Sequence, residues 1–116
     1  MDIKTLATDM DGMVTKGEIV DAIKKHFSEE ANTSDYSEVK TSGKAQMIEK
    51  MEGFVGSIAK VNGIEHHRTT VDADSSASEF TFDFDMKDGS KILWHEIIRR
   101  IWKEGKVVNE QYFNAN

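Results

Sequence analysis

The stretch from Ile92 to Phe113 constrains the fold of this chain more than any other part of it. It reads ILWHEIIRRIWKEGKVVNEQYF, in which two runs rich in Ile, Val and aromatic residues flank Glu104-Gly105. An acidic residue followed by glycine supplies the positive φ angles that a tight two-residue turn requires. The sequence therefore predicts a β-hairpin that turns at Glu104-Gly105.

A two-residue loop would also fix which strand positions face each other. Arg99 would then lie opposite Glu110, and Ile97 opposite Tyr112. Because side chains alternate between the two faces of a strand, each face receives every second residue. One face would carry Leu93, His95, Ile97, Arg99, Ile101, Val108, Glu110 and Tyr112. The other would carry Trp94, Glu96, Ile98, Arg100, Trp102, Asn109, Gln111 and Phe113. Both faces are partly apolar, so both need a cover.

The first half of the chain favours helices. Apolar residues recur at helical spacing from Ile3 to about Val14 and again from Glu18 to Phe27. A third helix is predicted to begin near Ser42 and to end before Asn62-Gly63. The segment 28–42 between the second and third helices is polar and lacks periodicity, so it is predicted to be a connection with a short strand around Tyr36, near the mouth of a pocket.

After Gly63 the pattern changes to a period of two. One strand is predicted over 64–73 and another over 76–87, where Phe80, Phe82 and Phe84 alternate with polar residues. A two-residue turn at Asp88-Gly89 would pair these three with Ile97, His95 and Leu93, respectively. Helices followed by a meander of strands predict an α+β fold, a single domain over residues 1–116 with helices packed on one face of the sheet.

Composition narrows the class of function. A net charge of −6 and an isoelectric point near 5.2 argue against a nucleic-acid surface, which needs clustered Lys and Arg. The absence of Cys excludes thiol chemistry and disulfides. The N-terminal residues contain no apolar signal region, and no run approaches the roughly 20 apolar residues of a membrane span. We therefore expect a cytoplasmic protein that binds neither nucleic acid nor membrane.

Short motifs give no metal or cofactor prediction. Asp9-Met10-Asp11-Gly12 lacks the ligand spacing of a calcium loop, because Met13 and Val20 occupy ligand positions. His66 and His67 are adjacent on a strand, so their side chains should point to opposite faces and cannot chelate one ion together. Nucleotide-binding and serine-nucleophile signatures are missing from the sequence. Any enzymatic activity would have to rest on acid-base chemistry.

Four polar residues fall on the predicted Phe-lined face: His95, Arg99, Glu110 and Tyr112. Charged groups among Phe and Ile must pair or line a wet cavity, because burying an unpaired charge costs several kcal/mol. One interpretation is structural, with an Arg99–Glu110 cross-strand pair and with His95 and Tyr112 hydrogen-bonded at the sheet margin. The other is a mainly apolar small-molecule pocket with a few convergent polar groups. The predicted ligand-binding residues are Phe80, Phe82, Phe84, Ile97, Arg99, Glu110 and Tyr36.

The order of elements, with Ser-Gly-Lys opening the third helix and WKEGKVVNEQYF closing the chain, resembles the SnoaL-like branch of the nuclear transport factor two superfamily. This superfamily includes ketosteroid isomerase, limonene epoxide hydrolase and polyketide cyclases. The resemblance implies a cystatin-like cone in which a curved antiparallel sheet wraps a pocket closed by helices, often paired into dimers. At the position of the cyclases' pocket Asp this chain has Tyr112, and Asn114 replaces the family's terminal Asp. Asp35 is the nearest candidate for the isomerase base.

We therefore favour a protein with a pocket for a small hydrophobic ligand and no cofactor. The alternatives are an acid-base isomerase, cyclase or hydrolase and a purely structural dimeric domain. In the enzyme hypothesis His95 transfers the proton and Tyr112 donates to a developing oxyanion, with Arg99 and Glu110 as an orienting pair. We also expect a homodimer, because one sheet face would otherwise expose a contiguous apolar patch. That patch consists of Trp94, Ile98, Trp102 and Phe113.

Overall fold

The computed structural model describes residues 2–35 and 38–115. Over these residues three α-helices pack on a six-stranded sheet. The helices are α1 (Ile3–Thr15), α2 (Ile19–His26) and α3 (Lys44–Gly56). The strands are β1 (Phe27–Asp35), β2 (Glu38–Ser42), β3 (Ile58–Asp72), β4 (Ser75–Met86), β5 (Lys91–Lys103) and β6 (Lys106–Asn114). The predicted α+β fold is confirmed. None of the described helices is long and apolar enough to cross a membrane.

The sheet is mixed, with the strand order β2-β1-β6-β5-β4-β3. Strands β3 to β6 form the predicted antiparallel meander, whereas β1 pairs with β6 in parallel. The segment that the sequence assigns to a connection forms β1 and β2, a hairpin added beside the last strand. Both strands are rich in Ser, Thr and Glu, so the alternating apolar pattern of a half-buried strand is missing there. Tyr36 lies outside the described residues.

Two helix boundaries also differ from the prediction. Gly43, with a φ of 94°, is the N-cap of α3 in place of Ser42. This helix ends at Gly56, and Asn62-Gly63 lies within β3 instead of ending the helix. Two glycines in the last turn weaken the helical preference, since each costs about 1 kcal/mol relative to Ala. Strand β3, the longest of the sheet, therefore begins at Ile58, earlier than the predicted start at residue 64.

Met86 donates a backbone hydrogen bond to Ser90, so the turn between β4 and β5 has three residues, 87–89, between this pair instead of the predicted two. The amide of Gly89 donates to the carbonyl of Met86 at 3.0 Å, and Gly89 itself adopts a φ of 90°. A turn closed by a left-handed glycine is the usual three-residue hairpin with a bulge. Phe84 consequently pairs with Ile92 instead of Leu93. A shift of one residue moves every side chain of one strand to the opposite face relative to its partner.

The turn between β5 and β6 is the predicted one, with Glu104 at a φ of 53° and Gly105 at 78°. Lys103 pairs with Lys106, but a register shift follows between Ile101 and Trp102. Trp102 then lies opposite Val107, and Ile101 lies opposite Asn109. The extra residue places Arg100 opposite Glu110, so the predicted pairing of Arg99 with Glu110 is wrong.

These registers define the two faces of the sheet. We call the face covered by the helices the inner face and the opposite one the outer face. The core lies between the inner face and the helices, where Ala7, Met10, Ile23, Met47, Phe80, Phe84 and Trp102 are each at most 3% exposed. The strand positions of the inner face are thereby fixed as the even-numbered ones from Ser76 to Phe84 and from Trp94 to Trp102.

Candidate functional site

A cavity of about 450 Å³ lies between the helices and the inner face. This volume is within the usual range of small-molecule sites. All three helices and three strands contribute apolar side chains to its walls. These include Met10, Val14, Ile19, Ile23, Met47, Met51, Phe54, Phe82, Phe84 and Ile98. An apolar ligand entering the cavity would exchange water for hydrocarbon contacts over most of its surface.

Polar groups in the cavity gather where β1, β6 and β5 lie side by side. Asp35 pairs with Tyr112 in the parallel register, and Tyr112 pairs with Ile98. Glu96, two residues before Ile98 on β5, lines the same cavity. Glu110 also lines it. The cavity therefore has apolar walls on the helix side and a cluster of acidic and phenolic groups on the sheet side.

Glu96 carries the most strongly perturbed carboxyl group at this site. Burial, together with the negative charges of Asp35 and Glu110, raises the pKa of Glu96 to about 7. Desolvation disfavours the charged form of an acid, and neighbouring carboxylates add to this effect. At neutral pH the side chain thus exists in both protonation states. A group of this kind can both accept and release a proton.

Arg100 also lines the cavity and connects α1 to the sheet. Its Nη1 lies 2.6 Å from Asp11 Oδ1 and its Nε lies 2.8 Å from Glu110 Oε2. Burial tends to lower the pKa of Arg100, but the charges of Glu110 and Asp11 outweigh it and the net pKa is raised. Asp11 also accepts hydrogen bonds from Thr69 and Ser78, each at 2.6 Å. The sequence offered no signal for this role of Asp11 beyond an acidic residue on the apolar side of a helix.

The Tyr112 hydroxyl is part of the same network, because it donates a hydrogen bond to Glu110 Oε1. Burial and the adjacent Glu110 carboxylate raise the pKa of Tyr112 well above its usual range. The phenol is therefore protonated throughout the physiological pH range. Tyr112 lines the cavity, and its hydroxyl is held by Glu110.

Only part of the predicted site is on the cavity side. Phe82, Phe84, Glu110 and Tyr112 line the cavity, and His95 also borders it, although from a strand position on the outer face. Phe80 is on the inner face but is fully buried, packed against Phe82 at a ring separation of 5.4 Å.

The placement of His95, Ile97 and Arg99 with the Phe row is wrong. They pair with Thr81, Glu79 and Ala77, respectively, on the outer face. The imidazole of His95 lies 2.6 Å from Glu79, and Arg99 donates to Gln111 at 2.9 Å. The three-residue turn at Gly89 is the physical reason, since it exchanges the faces of β5 relative to β4.

The same exchange brings Trp94, Glu96, Ile98, Arg100 and Trp102 to the inner face. Sequence reasoning had placed all five on the opposite side from the Phe row. Ile98 and Trp102 are 5% and 3% exposed, and the indole of Trp102 donates to Ser76 at 2.9 Å. The apolar patch predicted for a dimer contact therefore does not exist as one surface. Of its four residues, Phe113 pairs with Ile97 on the outer face.

Trp94 lies at the rim of the cavity. It is 44% exposed, and its ring stacks on Phe54 of α3 at a centroid separation of 5.7 Å. Leu93, which is 63% exposed, and Lys50 lie at the same rim. These residues form a partly apolar entrance next to the carboxyl groups of the cavity.

Three helices packed on one face of a six-stranded mixed sheet give the chain a cone-shaped α+β fold. No family model matches the sequence, and no curated protein does. Solved structures do match. A protein from Mesorhizobium loti, provisionally assigned as a SnoaL-like polyketide cyclase, superimposes with a TM-score of 0.86 at 22% identity, covering 97% of this chain and 99% of the other.

Two further structures extend the comparison. An uncharacterized cystatin-fold protein from Novosphingobium aromaticivorans gives a TM-score of 0.84 at 13% identity, with 98% and 99% of the two chains covered. A hypothetical protein with a ketosteroid isomerase-like fold from Catenulispora acidiphila, in complex with trimethylamine, gives a TM-score of 0.74 at 13% identity, with 93% and 83% of the two chains covered. The chain thus has the fold shared by SnoaL-like, nuclear transport factor two-like and ketosteroid isomerase-like proteins. Identities this low establish the fold alone.

Proposed function

We propose that this protein binds a small, mainly apolar molecule carrying one polar group in the cavity between the helices and the inner face. The observation that carries the proposal is the combination of a cavity of about 450 Å³ with apolar walls and a half-ionised carboxyl group, Glu96, at one end. The walls supply binding free energy, roughly 25 cal/mol per Å² of apolar surface removed from water. The carboxyl end orients the polar group of the ligand.

The carboxyl end favours a hydrogen-bond donor or a neutral polar group over an anion. Asp35, Glu96 and Glu110 all contribute to this end, and the charge of Arg100 is shared between Asp11 and Glu110. A ligand carboxylate or phosphate placed there would meet like charge. Ketones, phenols and alcohols with a hydrocarbon body fit this pattern.

A second candidate function follows from the pKa of Glu96 near 7. A base with a pKa close to the operating pH is well matched to proton transfer, so the site also suits acid-base catalysis on an enolisable ketone. Glu96 would take a proton from the carbon beside the carbonyl group, leaving the electron pair as an enolate, and would return the proton in the next step. Glu96 thereby replaces His95 as the proton-transfer group.

Binding is tested by isothermal titration calorimetry with 1-tetralone, a neutral bicyclic ketone, as the probe. Met51→Trp adds bulk at the cavity wall, and Val71→Trp makes the same change on β3 away from the cavity, where Val71 is 38% exposed. We expect one molecule per chain, at least tenfold weaker binding in the Met51 variant, and no change in the Val71 variant. Equal affinity in the parent and the Met51 variant would place the ligand elsewhere and contradict the proposal.

Catalysis is tested by following deuterium incorporation beside the carbonyl of 1-tetralone in D₂O by NMR. If Glu96 transfers the proton, Glu96→Gln should slow the protein-dependent exchange by roughly 10²-fold or more. Tyr112→Phe tests whether the phenol contributes beyond holding Glu110. Exchange no faster than in buffer, with the ketone bound, would leave the binding function and remove the catalytic one.

A further inference from the structure

A second polar cluster lies on the outer face of the sheet, and His95, one of its members, also borders the cavity. It consists of His67 on β3, Glu79 on β4 and His95 on β5. The His95 Nε2 and Glu79 Oε2 atoms are 2.6 Å apart, and the rings of His67 and His95 meet edge to face at 5.3 Å. Three potential metal-ligand atoms, one from each residue, all lie within 4.8 Å of one another.

Neighbouring side chains orient this cluster. Arg68 Nε lies 3.1 Å from Glu79 Oε1, which leaves the other carboxylate oxygen directed at His95. The ring of His67 is held by Thr81 Oγ1 at 2.7 Å. Partners that orient ligands in this way are a regular feature of metal sites.

We propose that His67, Glu79 and His95 form a binding site for a divalent transition-metal ion such as Zn²⁺ on the outer face. Two imidazoles and one carboxylate are a ligand set that Zn²⁺ accepts in proteins, with a fourth position left to water. Bonds of about 2.0–2.1 Å in tetrahedral geometry place ligand atoms roughly 3.4 Å apart. The present separations between these ligand atoms range from 2.6 Å to at most 4.8 Å and span that value, so small side-chain rotations would complete the site.

The three ligands come from three consecutive strands of the meander. A bound ion would therefore link β3, β4 and β5 on the side of the sheet that the helices do not cover. Binding to the folded chain raises its stability in proportion to the logarithm of ligand concentration. The expected role is a structural clip on the outer face, and it does not depend on what the cavity binds.

The test is isothermal titration of the chelator-treated, tag-free chain with ZnCl₂, supported by the visible absorption of a Co²⁺ complex. We expect one Zn²⁺ per chain, a higher melting temperature with zinc, and Co²⁺ bands of the intensity typical of four-coordinate sites. His67→Gln, Glu79→Gln and His95→Gln should each weaken binding by at least the roughly 10–100-fold that loss of a supporting partner costs.

His66→Gln is the matched control. His66 is adjacent to His67, but its ring packs on Phe80 at 5.0 Å and its Nε2 lies 2.6 Å from Thr69 on the inner face. Circular dichroism establishes that each variant is folded, and the control should bind zinc like the parent. The proposal is overturned if no zinc binds up to millimolar concentration, if one ion bridges two chains, or if Glu79→Gln and His95→Gln bind as tightly as the parent.

Discussion

Arg100 and Glu110 form a buried ion pair across β5 and β6, with Nε and Oε2 2.8 Å apart. Their side chains are 1% and 4% exposed, and Asp11 completes the contact from α1 at 2.6 Å. Removing one member of a buried pair leaves an uncompensated charge, which costs more than the pair itself contributes. This arrangement ties the first helix to the centre of the sheet at the wall of the cavity.

Arg100→Leu should lower the free energy of unfolding by about 3–5 kcal/mol, because two buried carboxylates lose their cation. Arg99→Leu is the matched control on the outer face, where Arg99 is exposed and donates a hydrogen bond to Gln111. Its expected cost is within about 0.5 kcal/mol. Urea denaturation of both variants measures the difference. A larger effect for Arg99 than for Arg100 would contradict the register of β5 and β6.

Glu96 should make the stability of the chain depend on pH. The folded carboxyl keeps its proton up to about pH 7, whereas the unfolded one releases it near its ordinary pKa of 4.5. The folded state therefore binds more protons in this window, and stability falls as the pH rises through it. The full effect is about 3 kcal/mol, since each unit of pKa shift corresponds to roughly 1.4 kcal/mol.

Glu96→Gln removes that penalty, so the variant should be more stable than the parent at pH 8 and close to it at pH 4. Urea denaturation at the two pH values gives the free energy of unfolding of each protein. In the difference between parent and variant, the contributions of other groups that titrate in the same range cancel. A difference between parent and variant that is independent of pH would show that Glu96 has an ordinary pKa.

The hydrogen bond of the Trp102 indole provides a further test that Trp102 is buried on the inner face. Its Nε1 donates to Ser76 Oγ at 2.9 Å in a buried position. Ser76→Ala leaves this donor without its partner and should cost about 1–3 kcal/mol. Ser75→Ala, whose hydroxyl lies in an exposed contact with Asp72, is the control and should cost less. Equal losses in thermal unfolding would argue against the buried indole contact.

Dimerisation through the outer face remains a prediction, with a changed set of residues. Ile97, Ile101 and Phe113 are partly exposed neighbours on that face. We expect a dimer that Ile97→Glu splits and that Lys103→Glu, at the end of the hairpin, leaves intact. Light scattering at micromolar concentration measures the mass. Trp102→Glu would unfold the chain, because Trp102 is buried. A parent protein of one chain mass would refute the dimer.

The sequence was sufficient for the fold because its strongest patterns are local. Each of these patterns identifies the element in which it occurs: the helical spacing in α1 and α2, the alternation around Phe82, and the turn at Glu104-Gly105. The faces of the site could not be derived in this way. They depend on two single-residue offsets, a bulge near Trp102 and a three-residue turn at Gly89, and neither changes the composition of the strands it joins.

The residues that were missed share this origin. Glu96 and Arg100 were assigned to the face away from the Phe row, so their roles in the cavity and in the buried network were not considered. Asp11 and Asp35 reach the inner face from α1 and β1, and such contacts between distant segments leave no periodic signal. Asp35 was noted only through the family resemblance.

The turn at Gly89 gives this fold a simple way to change its ligand. Deleting one residue from the loop would return β5 to the two-residue register, which brings His95, Ile97 and Arg99 to the cavity in place of Glu96, Ile98 and Arg100. The cavity that we propose to bind neutral polar groups would thereby gain a cationic end. In this architecture a change of loop length can replace a whole set of binding residues, whereas substitution changes them one at a time.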